Sequence, residues 1–290
     1  LIQFRDLETT RFDTFHQFTY PRTYGGWFSF VPRAGIRATY YSDSFNEDFE
    51  TTGGSDYRLI FNTGFEASFK LTKDYSDQIR SRAVGLDGLR HVFQPYSNFS
   101  LVADSGMDAD RVLQIDRLIA STELPPLDFP QFTSIDSIDN WSVWRLGMRN
   151  RLYTNRDGGR FLWFELDTFF DINFENPYTD NTLSNLQNRM VWRPLPWLRL
   201  RLDSQLPLDS DGFTMVNTNF DFMVTDYLDL NIGQRFLSDS PFFRDSNLFT
   251  YGGYWQLNEN WGFSLQHRFE AQDSTLESQE YLLHRDLSSW

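Results

Sequence analysis

The chain has 290 residues, no cysteine and a formal net charge of −14. The lack of thiols excludes a disulfide framework and thiolate metal centres, and the acidic balance excludes nucleic acid as an expected partner. Mean hydropathy is −0.50, and no apolar run reaches the ~18 residues of a membrane helix. Any membrane crossing must therefore use strands, which hide their apolar residues in alternate positions. The 29 Phe, 13 Tyr and 9 Trp favour strands and suit aromatic girdles at two membrane interfaces. The opening LIQFRDLETTRF is not a signal peptide. A start at Leu1 and an end at Trp290 inside a strand-like stretch lead us to expect a piece of a longer protein.

Taken in order, residues 12–20 give a first strand and PRTYGG at 21–26 a turn. In 27–41, Phe28, Phe30, Ala34, Ile36, Ala38 and Tyr40 share one face, and Ser29, Arg33, Arg37 and Thr39 the other. Pro32 lacks an N–H and marks an edge, a bulge or a weakened pairing. A polar, glycine-bearing loop covers 42–58. The next strand, 59–72, sets Leu59, Phe61, Phe65, Phe69 and Leu71 against Asn62, Glu66, Ser68 and Lys70. After a connection at 73–89, residues 90–103 extend again, with Pro95 inside. The longest break, 104–140, contains LPPLDFP, which is incompatible with regular structure, and a short helix is expected at 109–121.

From 141 the alternation is regular. Trp144, Leu146, Met148 and Leu152 oppose Arg145, Arg149 and Arg151. The hairpin signal NRDGG follows. Leu162, Phe164, Leu166, Phe170 and Ile172 then oppose Glu165, Asp167, Asp171 and Asn173. Further strands fall near 186–193, 197–206, 213–224, 227–237, 247–257, 260–271 and 278–290, about thirteen in all. Short turns at 156–160, 194–196, 225–226 and 258–260 alternate with longer loops at 174–185, 207–212, 238–246 and 272–277.

That order belongs to an outer-membrane barrel with short periplasmic turns, and not to a Greek-key sandwich. The expected fold is all-β: an antiparallel up-and-down transmembrane β-barrel, part of a larger barrel, occupying 1–290 with a long loop at about 104–140. Arg33, Arg37, Arg145, Arg149, Arg151, Arg199, Arg201, Arg235 and Arg268 share parity with Glu66, Glu165, Asp167, Asp171, Asp203, Asp221, Asp229 and Glu270. These side chains are expected to face the lumen, as cross-strand pairs or as a hydrophilic channel wall whose guanidiniums meet phosphate or carboxylate. His16, His91, His267 and His284 form no metal-ligand spacing, and no nucleophile or nucleotide motif appears. No enzyme activity, cofactor or metal is expected.

Two stretches resemble a known family. LRHVFQPYSNFSLV at 89–102 resembles the "LRH…P" strand of the LPS-assembly protein LptD family. SIDSIDNWSVWRLGMRNRLYTNRDG at 134–158 is similar to that family's "DSID…N…GLRNRL" block. The resemblance implies a translocon in the outer membrane of Gram-negative bacteria that inserts lipopolysaccharide into the outer leaflet. It implies as partners a lumen-plugging lipoprotein (LptE-like), a periplasmic bridge protein (LptA-like) and outer-membrane lipids. It also implies a seam between first and last strands weakened by prolines. His91, Pro95, Asp136, Ser137, Asp139 and Asn150 match the motifs, with the expected role of placing the long loop in or over the lumen. The chain departs from the family in having no cysteine, no jellyroll and fewer strands. A general porin or hydrophobic-solute channel, an outer-membrane enzyme and a soluble β-sandwich binder are the alternatives.

Overall fold

The computed structural model describes residues 8–43, 54–75, 79–105, 114–116, 122–124, 126–127, 135–177, 179–208, 212–240 and 243–286. Aromatic and β-branched residues at every second position produce long strands, and Gly, Pro, Asn and Asp at the ends stop them. In order these are β1 (Arg11–Thr19), β2 (Arg22–Tyr24), β3 (Phe28–Tyr41), β4 (Asp56–Phe69) and β5 (Leu71–Asp74). Then come β6 (Arg80–Ser81), β7 (Leu86–Asp87), β8 (Arg90–Ser105), β9 (Trp141–Arg156), β10 (Gly159–Glu175) and β11 (Leu186–Leu195). The chain continues with β12 (Leu198–Leu206), β13 (Met215–Thr225), β14 (Leu228–Leu237), β15 (Ser246–Asn258), β16 (Trp261–Glu270) and β17 (Thr275–Arg285). The described residues contain no α-helix, only a 3₁₀ turn at Arg82–Val84.

Fifteen strands form one antiparallel sheet in the order β1-β3-β4-β8-β9-β10-β11-β12-β13-β14-β15-β16-β17, with β2 on β3 and β5 on β8; β6 and β7 pair separately. The thirteen strands of the main order correspond to the thirteen read from alternation. Among the described residues the order runs from β1 to β17. The chain divides into two compact units, one of Leu1–Phe69, Tyr96–Leu146 and Asp171–Ser184, the other of Lys70–Pro95, Gly147–Phe170 and Asn185–Trp290.

Some boundaries differ from the sequence reading. The strand expected at 59–72 begins at Asp56 and is interrupted at Lys70. The ladder to β8 stops between Ser68↔Tyr96 and Leu71↔Phe93, and Pro95, which has no N–H to donate, falls in that gap. β17 starts at Thr275, so the loop before it is only 271–274; its expected end at 287–290 lies outside the described residues. Of the helix expected at 109–121, residues 114–116 are irregular and the rest lies outside the described residues.

Pro32 sits inside β3, paired with Phe65 of β4. Its carbonyl accepts the Tyr20 N–H at 3.0 Å, so its nitrogen faces the same edge. On that edge β1 has ended at Thr19 and β2 begins at Arg22. The missing donor therefore falls where the neighbouring strand is itself broken, which is how an inner strand tolerates a proline.

Candidate functional site

Register fixes the faces. In the first unit, Arg33, Gly35, Arg37, Thr39 and Tyr41 of β3 lie opposite Gly64, Asn62, Ile60, Arg58 and Asp56 of β4. The latter continue to Ser100, Val102 and Asp104 of β8. This is the polar face, and both arginines expected on it are there. The other face carries Phe12, Tyr40 and Tyr57 at the loop end and Tyr24, Trp27 and Phe28 at the turn end. Phe12, Tyr24, Trp27, Tyr40 and Tyr57 are exposed.

The described residues Ile115, Asp116, Leu127 and Asp136 of the long connection after β8 meet the polar face. Asp136, one of the motif positions, is 0% exposed. Its Oδ2 accepts from Arg11 Nη1 at 2.8 Å and from the backbone N–H groups of Ile115 and Asp116 at 2.8 and 3.1 Å. Its Oδ1 accepts from the Tyr41 hydroxyl at 2.7 Å. Arg11 also makes a fork to Asp116, at 2.8 and 3.1 Å. That fork, with the Ile135 N–H donated to Asp116, holds the Asp116 carboxyl below the usual carboxylate range against the opposing effect of burial.

Arg58 is fully buried. It donates Nε to Asp104 at 2.6 Å and Nη groups to the carbonyls of Asp136 and Ile138. Arg33 passes over Gly64 to donate to Asn98 Oδ1 and the Phe99 carbonyl, both at 2.8 Å, and to the Leu127 carbonyl at 3.1 Å. A Cβ at Gly64 would collide with the Phe99 carbonyl oxygen and the Arg33 guanidinium. Around these polar anchors Ile60, Val102, Leu127, Ile138, Trp141 and Val143 form a buried apolar cluster. Trp141 Nε1 reaches Ser100 at 3.1 Å, so its one donor is satisfied.

The other motif residues divide. His91 meets Asn150 at 3.0 Å across the neighbouring strands. Pro95 marks the ladder break. Asp139 is exposed and caps the Asn140 N–H at 2.6 Å; Asn140 in turn accepts the Asp104 N–H at 2.7 Å. Ser137 is half-buried beside Asp136. Asp136, Ser137 and Asp139 lie in the loop, which Asp136 anchors to β1 and β3, and His91, Pro95 and Asn150 belong to the strands.

Five more of the expected arginines make ion pairs on the polar face of their own unit, whereas Arg235 only comes within 3.5 Å of the Ser246 hydroxyl and Arg268 lies opposite Thr250 and Ser278. Arg145 binds Asp171 through two bonds, 2.7 and 2.9 Å. In the second unit Arg149 binds Asp167 at 3.0 Å and Arg151 binds Glu165 at 2.7 Å. There Arg199 binds Asp221 at 2.8 Å, and Arg201 approaches it at 3.3 Å. The second unit's opposite face exposes Phe213, Phe249 and Phe269 towards the loops and Trp197, Tyr227 and Trp255 at the turns. His267 lies on that face, between the hydroxyls of Tyr251 and Tyr281 at 2.9 and 2.8 Å. Among the described residues no group of three His, Asp or Glu side chains has the arrangement of a metal site.

Sequence reading missed Arg11, Tyr41, Arg58 and Asp116 as loop anchors. It also passed over a usable signal. Ile60, Val102, Trp141 and Val143 are apolar residues at polar-face positions, all near the loop ends of β4, β8 and β9. Such breaks in alternation mean that something apolar covers that part of the face. No protein-family model matches the chain, and no curated protein matches it.

Proposed function

We propose that the chain is a section of the wall of an outer-membrane β-barrel, and that the barrel delivers lipopolysaccharide to the outer leaflet. The carrying observation is the split between the faces. One exposes large aromatic side chains near both strand ends, as lipid interfaces require. The other holds paired charges and a docked loop. Water-soluble monomers rarely expose contiguous apolar patches larger than a few hundred Å², and here β1, β3, β4, β9, β10 and each strand from β13 to β17 expose at least one large apolar side chain. The lipopolysaccharide assignment rests on the motif residues at 89–102 and 134–158, of which Asp136 ties the long loop to the wall. A lumen-plugging lipoprotein and a periplasmic bridge protein are the partners that accompany this reading.

Depletion of the full-length protein tests it. Surface lipopolysaccharide should fall, and the protein should fractionate with the outer membrane and show heat-modifiable gel mobility. Unchanged surface lipid overturns the transport assignment. Extraction without detergent overturns the membrane assignment. The ion pairs from Arg149 to Asp221 would equally suit a porin, which predicts ion conductance together with unaffected lipid export.

A further inference from the structure

In the second unit most connections at the turn end are two residues long: 157–158, 196–197, 226–227 and 259–260. The connection after β5 departs from this. It contains β6, the 3₁₀ turn and β7, and it is docked at several points. Trp163 Nε1 donates to the Val84 carbonyl at 2.7 Å. The buried Thr154 hydroxyl accepts the Asp87 N–H at 2.8 Å and donates to the Gly88 carbonyl at 3.0 Å. Gly85 has φ 63° and faces the Pro194 carbonyl with no room for a Cβ. The connection is therefore a built ledge.

Arg156 forms its floor. Nη2 donates to the Pro194 carbonyl at 3.0 Å and lies 3.5 Å from the carbonyls of Gly85 and Arg193, while Cζ lies 4.2 Å over the Phe161 ring. Nη1 is buried and has no hydrogen-bond partner among the described residues, nor does the Trp192 indole N–H. Among the described residues no carboxylate pairs with Arg156. Arg82 and Arg160 are exposed, Arg193 is half-buried, and none has an ion pair among the described residues. Arg80 is already engaged by Asp87 at 2.9 Å. Arg82 lies in the ledge itself, and Arg156, Arg160 and Arg193 at the ends of β9, β10 and β11 on which it docks, in a protein of net charge −14 and beside the edge-to-face pair of Trp163 and Trp192, 5.8 Å apart. A guanidinium with a free, desolvated N–H is matched by a phosphate oxygen.

We propose that this ledge is a binding site for the phosphate of an anionic phospholipid headgroup, held by Arg156 with Arg82, Arg160 and Arg193 around it. The choice of a lipid headgroup rests on the membrane reading above; basic pockets beside interfacial aromatics are where such headgroups bind. The full-length protein in neutral detergent is titrated calorimetrically with dihexanoyl-phosphatidylglycerol and, separately, dihexanoyl-phosphatidylcholine. The anionic lipid should bind about tenfold more tightly, with a preference that falls as salt is added. The triple variant Arg82→Glu/Arg160→Glu/Arg193→Glu, at two exposed positions and one half-buried one, should bind the two lipids equally. Equal binding by the unaltered protein, or a preference that survives in the variant, overturns the proposal. Inorganic phosphate at matching concentration forms a third arm; displacement of the lipid by it assigns the site to soluble phosphate and overturns the lipid assignment. Short-chain lipids need no bilayer, so a protein absent from the outer membrane would sink the membrane reading while leaving this binding result readable.

Discussion

The Asp136 carboxylate takes a 2.8 Å hydrogen bond from Arg11, a residue 125 positions earlier in the chain. The same carboxylate holds Tyr41 and two backbone amides of the loop. Removing it leaves the Tyr41 hydroxyl and two backbone N–H groups without their acceptor, while Arg11 keeps only Asp116. Asp136→Ala is therefore expected to cost about 1–3 kcal/mol for each buried group left unsatisfied, and so about 3 kcal/mol or more in all. Denaturant unfolding of the refolded protein measures it; a loss below about 1 kcal/mol would show that the carboxylate is dispensable.

Asp116 makes the loop sensitive to acid. Its pKa is lower in the folded protein than in the unfolded chain, chiefly through the Arg11 fork. Its contribution is thus complete above the ordinary Asp range, near ~3.9, and is lost as pH falls through the folded-state value. Stability curves of the unaltered protein and Asp116→Asn should run parallel from neutral pH down to about 5 and converge below it. A constant gap through the acid range would exclude the mechanism.

Much of the sheet was legible because a strand has a side-chain period of two. Once residues 27–41 are extended, Arg33 and Arg37 must share a face, and no partner is needed to say so. The loop was not legible for the opposite reason. Residues 106–140 have no period, so nothing local indicates that Asp136 returns to Arg11, or that Leu127 lies under Arg33. Lys70 is a third case. Its own sequence reads as strand, and the interruption comes from a proline on the neighbouring strand.

The charged pairs should differ in strength according to water access. Arg145 and Asp171 are 12% and 5% exposed and joined by two bonds. Arg199 and Asp221 are 47% and 24% exposed. Double-mutant cycles should give a coupling of about 1.5–3 kcal/mol for the first pair and about 0.2–1 kcal/mol for the second. Equal couplings would mean that the two sites are equally wet.

Gly64 is required by crowding. Gly64→Ala drives a methyl into the Phe99 carbonyl of β8 and into Arg33, for a cost of about 1–3 kcal/mol. Gly159→Ala is the matched control, since its Cβ would meet nothing closer than 3.9 Å. Urea midpoints of the two variants check the contrast, and a shift of similar size in both would remove the steric explanation.

The proline in β3 has one more effect. It divides the edge that β3 offers to β1 and β2 into two zippers that open independently. Nine β1 residues, from Arg11 to Thr19, hold one of them, and Arg22 to Tyr24 hold the other. Peeling that starts at the division can run along β1 while β2 stays fastened. Amides of β1 should therefore exchange with solvent earlier than those β3 donates to β4, and replacing Pro32 with Val should narrow the difference.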